Sequence, residues 1–92
     1  VIPPPRDPIA RAIFDALGRE QEKRPERIYP QWLEAEEHAV WQEVLRHAPV
    51  FVPRDRVAQA MLSACGHVDY PWKVAYYCAE LCRTHLPKED QT

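Results

Sequence analysis

Glycine is nearly absent, with two in 92 residues. A loop that cradles phosphate by close backbone approach needs several, so no nucleotide-binding loop is legible. Serine occurs once, as Ser63. It lies mid-helix by spacing with no base near it in sequence, so no hydroxyl nucleophile is in sight. Cysteine comes in an odd count of three, without Cys-x-x-Cys spacing. That excludes a disulfide framework and points to a reducing, cytoplasmic setting. No apolar run approaches the ~20 residues needed to span a bilayer, and no charged-then-apolar leader is visible. Neither sign of charge dominates: twelve basic residues stand against fourteen acidic, a net charge of −2. A nucleic-acid binder normally shows a basic excess, and a DNA mimic would be more acidic. Nucleic acid and membrane are therefore not expected partners.

What is abundant is proline, ten residues in all, spread so that it punctuates the chain. Hydrophobic residues make up 46% of the sequence, enough to fill one small core. A chain of this size buries only about 60–65% of its unfolded surface, so it needs good packing or a partner.

One stretch occurs twice. Residues 5–18 read PRDPIARAIFDALG and residues 53–66 read PRDRVAQAMLSACG, identical at seven of fourteen positions. Each contains the signals of a helix. Asp7 and Asp55 are candidate N-caps, and Pro8 suits a first helical position. Ile9, Ile13 and Leu17 share one face, as do Val57 and Met61, joined by Ala64 and Cys65. Gly18 and Gly66 stand where a left-handed residue would end a helix.

The remaining elements follow in order. Residues 1–6, with Pro3-Pro4-Pro5, form an extended Pro-rich arm. A first helix spans about 7–20, followed by a charged loop near Pro25. A second spans 30–47, its stripe of Leu33, Val40, Trp41, Val44 and Leu45 interrupted by Glu37. Glu34, Glu36 and Glu37 suit its positive end, and Arg46 and His47 its negative end. Val50-Phe51-Val52 is a connector with no second strand to pair with, expected to plug the core. A third helix spans 54–65 and a fourth 70–86, the latter capped by Asp69 with Pro71 in its first turn and closed by Pro87. Residues 88–92 are a polar tail. Tyr29-Pro30-Gln31-Trp32 and Tyr70-Pro71-Trp72 open the second and fourth helices alike. The expected fold is all-α: a small four-helix bundle without a sheet, in one domain over 7–87, its halves candidates for a duplicated helical hairpin.

Three constellations could carry chemistry. Cys65, His67, Cys78, Cys82 and His85 offer soft thiolates and imidazoles to zinc. However, Val74, Cys78, Leu81, Cys82 and His85 are also the stripe that should face the core, and cysteine is commonly buried as a small hydrophobe. The expectation is that Cys78 is buried and that no metal or other cofactor is held. Glu34–His38 and Glu43–His47 are i,i+4 pairs rather than the Glu-x-x-His of di-iron bundles, so they read as solvated side-chain pairs. Helices three and four with the Gly66 turn have the outline of a helix-turn-helix. Its reading face would be Trp72, Lys73, Tyr76, Glu80 and Arg83, which fits a phosphate-lined groove poorly.

Residues 36–41, EEHAVW, resemble a stretch ahead of the catalytic core of bacterial aromatic amino acid hydroxylases. The likeness covers six residues and none of the iron-binding histidine segments, so no function is carried over.

The last feature is aromatic. Trp72 and Tyr76 are one turn apart, opposite Val74, Cys78 and Leu81, with Arg83 further along, and Trp32 is off the main stripe of the second helix. Trp, Tyr and Arg are the residue types enriched at binding hot spots. The sequence therefore reads as a small non-enzymatic interaction protein, binding a protein partner or itself through Trp72, Tyr76, Arg83 and Trp32. A helix-turn-helix regulator and a zinc-stabilised helical module are the alternatives.

Overall fold

The computed structural model describes residues 3–23 and 34–84. Four helices follow one another: α1 (Pro8–Glu22), α2 (Glu34–His47), α3 (Arg54–Ala64) and α4 (Tyr70–Thr84). There is no strand among the described residues. The all-α expectation holds, as a small helical bundle.

The Asp7 side chain starts α1 by accepting from the Ala10 amide at 2.9 Å, and Pro8 follows in the first turn. Ala10, Ile13, Ala16 and Leu17 then fall on one buried face. The helix runs past Gly18 to Glu22, two residues beyond the expected end, and Lys23 pairs with Glu20 at 3.0 Å there. Gly18 is thus an interior helical residue and not a C-terminal cap.

The buried line of α2 is Glu36, Val40 and Val44, spaced by four and so on one face. The expected interruption of the stripe is therefore displaced by one position. Glu36 points inward, while Glu37 turns to the side and takes the Arg54 Nε at 2.5 Å. Leu33 lies outside the described residues.

The connector between α2 and α3 forms no ladder, and only one of its three apolar residues enters the core. Val52 is fully buried, whereas Phe51 is 65% exposed. The anchor is Trp41, whose indole Nε1 donates to the Val52 carbonyl at 2.8 Å. Phe51 lies edge-on to the same indole, and the Arg54 guanidinium sits 5.9 Å from its centroid.

Helix α3 departs from the reading of Asp55 as its cap. Pro53 holds the N-cap position, with no side-chain bond, and Asp55 lies within the first turn. Val57, Met61 and Ala64 are its buried face, while Leu62 is 58% exposed. Gly66 follows the helix with φ of +90°, a conformation that glycine adopts without the clash a Cβ would bring. The two similar stretches thus differ at both ends: α1 begins at Pro8, α3 at the residue matching Arg6, and only the second glycine ends a helix.

Asp69 occupies the N-cap position of α4, its carbonyl accepting from Lys73 N at 3.0 Å. Helix α4 packs on each of the other three, whereas α1 and α3 do not touch. Three neighbours demand a wide apolar face, and α4 supplies Val74, Ala75, Cys78, Ala79 and Cys82, all buried. The small residues let neighbouring backbones approach closely, and the β-branched and long side chains of α1, α2 and α3 fill the space between. A fully buried side chain such as Leu17 or Met61 contributes about 1.5–3 kcal/mol through removal of its surface from water. Of the stripe expected to face the core, Val74, Cys78 and Cys82 are buried, whereas Leu81 is only partly buried at its edge.

Candidate functional site

The inward face of α4 leaves a second face formed by Trp72, Tyr76 and Arg83. These residues are four and seven apart, which aligns them along one side of a helix. Trp72 is half-buried, Tyr76 is 54% exposed and Arg83 is exposed. Trp32, the fourth residue expected at a binding face, lies outside the described residues.

The Pro-rich arm runs alongside this face. Trp72 Nε1 donates to the Pro3 carbonyl at 2.7 Å, joining residues 69 apart in the chain. At the other end of the face, Arg83 donates to the Asp7 carboxylate. Between these two contacts lies an open groove of about 470 Å³, walled by Pro3, Pro4 and Asp7 on one side and Trp72, Tyr76 and Arg83 on the other, with Ala10 and Ala79 also lining it. Proline contributes a carbonyl but no N–H, so an indole N–H is a natural complement to a proline run.

Asp7 accepts from both the Ala10 amide and Arg83. The Ala10 amide first, and the Arg83 guanidinium second, hold its carboxyl below the usual carboxylate range. Charge near a helix N-terminus has the favourable sign for the helix dipole as well.

The cysteine and histidine cluster has a different character. Cys78 is buried in the core, and burial first, with Cys82 second, pushes its thiol up to about 12. Burial likewise raises Cys82, whose Sγ donates to the Val44 carbonyl at 3.6 Å. Metal ligation requires thiolate, and both positions penalise it. Among the described residues no group of three or more potential ligands converges; His85 lies outside them. The Glu43–His47 pair forms at 3.5 Å on the surface of α2, and Glu34 approaches Arg54 at 3.9 Å instead of His38. His38 lies against the edge of Trp41, their ring centroids 6.3 Å apart.

A wider groove of about 710 Å³ runs between α3 and α4, with Asp55, Arg56 and Glu80 among its charged lining residues. Ser63 also lines it, and no histidine is among the described lining residues.

What the sequence did not reveal is the arm's place. Pro3-Pro4-Pro5 and the Trp72/Tyr76 pair are each recognisable as halves of a proline–aromatic contact. Nothing in their spacing says that one covers the other, because that depends on α1 packing beside α4. The exposed Phe51 beside Trp41 was missed for a similar reason: the connector's three apolar residues look equivalent until Val52 is pinned. Compared with known proteins, the chain matches no family model, no curated protein and no solved structure.

Proposed function

We propose that the protein is a non-enzymatic helical module that binds another protein through the outward face of α4. The observation that carries this reading is the open groove walled by Trp72, Tyr76 and Arg83, with Tyr76 more than half exposed. A small bundle has every incentive to bury a tyrosine, and an exposed aromatic beside an indole and a guanidinium is the usual make-up of a hot spot. The groove's lining of aromatic, proline and guanidinium groups supports a chemistry of recognition.

The test is Tyr76→Ala. Association, measured as recovery of a co-purifying partner or as self-association by sedimentation velocity, should weaken by about 1–2 kcal/mol, roughly five- to thirtyfold. The melting temperature should change little. A steep loss of thermal stability with association unchanged would make Tyr76 a packing residue and remove this reading. Helix-turn-helix binding to DNA would instead appear as salt-dependent affinity for duplex DNA.

A further inference from the structure

We propose that the outward face of α4 is a receptor for a proline-rich segment of another protein, and that the chain's own Pro3–Pro4 pair, which lies against that face and walls the groove, is displaced by such a segment. This rests on the reading of α4's outer face as a binding surface and names the chemistry of its partner. The arm's hold on this face is visible in the structure itself: the Trp72 indole donates to the Pro3 carbonyl at 2.7 Å, and Pro3 and Pro4 line the groove together with Trp72 and Tyr76. A proline run has its φ fixed in advance and no internal hydrogen bonds, so its carbonyls remain available and little entropy is lost on docking. Aromatic grooves that supply an N–H donor recognise such runs.

The cis contact is built to open. Pro3 and Pro4 are exposed although they touch the groove, whereas Pro5 is buried and Asp7 is fixed by Ala10 and Arg83. The first two prolines can therefore peel away while Pro5 and Asp7 hold the start of α1. The same anchoring argues against a second copy as the occupant. With Pro5 and Asp7 held in their own molecule, only Pro3 and Pro4 of the described arm are free to reach another molecule's groove, whereas a foreign segment can offer a full proline run with no such tether. The arm acts as a competitor at an effective concentration of about a millimolar, as expected for a short connection.

The experiment uses the full chain, ¹⁵N-labelled, titrated with acetyl-hexaproline amide and, as control, an acetylated Gly-Ser hexapeptide amide. The readout is the indole N–H resonance of Trp72, identified by its loss in Trp72→Phe. Hexaproline should shift that resonance saturably and the control should not. The double variant Pro3→Gly/Pro4→Gly, which loosens the arm, should bind at least about fivefold more tightly. Trp72→Phe, followed through the Tyr76 backbone amide, should bind several-fold more weakly. No shift with hexaproline overturns the proposal, and the wild-type titration decides this even if the double variant fails to fold. Equal affinity in wild type and double variant overturns displacement, since the peptide would then sit beside the arm. A wild-type dimer that disappears in the double variant would assign the groove to a second copy instead. If hexaproline fails to bind while Tyr76→Ala still weakens association, only this inference falls; if hexaproline binds and Tyr76→Ala leaves association intact, the broader reading falls.

Discussion

The Asp7 carboxylate at the start of α1 accepts a charged hydrogen bond from Arg83 near the end of α4, across 76 residues of chain. The same carboxylate caps α1 through Ala10. One side chain thereby ties the first helix to the last and fixes the root of the Pro-rich arm.

That coupling makes a pH prediction. The carboxyl of Asp7 is lowered in the folded protein from a value of 3.8, by the Ala10 amide and then by Arg83. A lowered folded value means that the stabilisation is fully present above the unfolded pKa and is lost as pH falls through the folded one. Thermal melts should therefore show a falling limb below about pH 4 to which Asp7 contributes. Asp7→Asn keeps a side-chain acceptor for the cap but loses the charge. It should lower the melting temperature at pH 7 and flatten the acid limb, and Asp7→Ala should lower it further by removing the cap. An acid limb unchanged in both variants would show that this pair contributes nothing.

The cysteines should divide by burial. Cys65 is partly exposed, while Cys78 and Cys82 are buried with raised thiol pKa values. Thiolate is the reactive form, so the buried pair should react only when the bundle opens. A disulfide reagent at pH 8 should titrate one fast thiol in the native protein and three in denaturant, and Cys65→Ser should abolish the fast phase. Rapid reaction of two or three thiols without denaturant would contradict the packing of α4.

The packing was legible in the sequence where periodicity was unopposed. Ile13 and Leu17, Val57 and Met61, and Val74 and Cys78 all recur at four-residue spacing, and all six are buried. It was not legible where two readings differ by one position. Glu36 and Glu37 are chemically the same, and what separates them is Arg54, which reaches back from α3 to Glu37. Nor could sequence order tell that α4 would touch every other helix, or that Leu81, alone among the described residues of its expected stripe, would lie at the edge of the core. Of the site, the three α4 residues could be aligned from helical spacing alone. The arm opposite them could not, because its position is a consequence of tertiary packing.

Met61 and Leu62 are adjacent apolar residues with opposite surroundings. Met61 is fully buried and Leu62 is 58% exposed. Met61→Ala should cost about 2–5 kcal/mol, through lost burial and a cavity, a large part of the stability of a domain this small. Leu62→Ala should stay within about 0.5 kcal/mol, since it removes little buried surface. Urea denaturation of both variants provides the comparison, and similar losses in the two would mean that α3 is rotated about its axis.

The two glycines make the sharpest contrast, because the sequence presents them as equivalents and the structure does not. Gly18 lies inside α1, and a Cβ built there meets nothing within 4 Å. Alanine at that position keeps the helical backbone, reduces the freedom of the unfolded chain and adds helix propensity. Gly18→Ala should therefore stabilise the protein by about 0.5–1 kcal/mol. Gly66 is equally uncrowded, but its φ of +90° is one that an L-residue with a Cβ adopts only under strain. Gly66→Ala should destabilise by about 1–2 kcal/mol, with the turn between α3 and α4 absorbing the change. Space cannot explain opposite signs here, since neither site is filled; only backbone conformation can. Chemical denaturation midpoints that fall in both variants would show that α1 ends at Gly18 after all, as α3 ends before Gly66, and midpoints that rise in both would show that the Gly66 turn carries no strain.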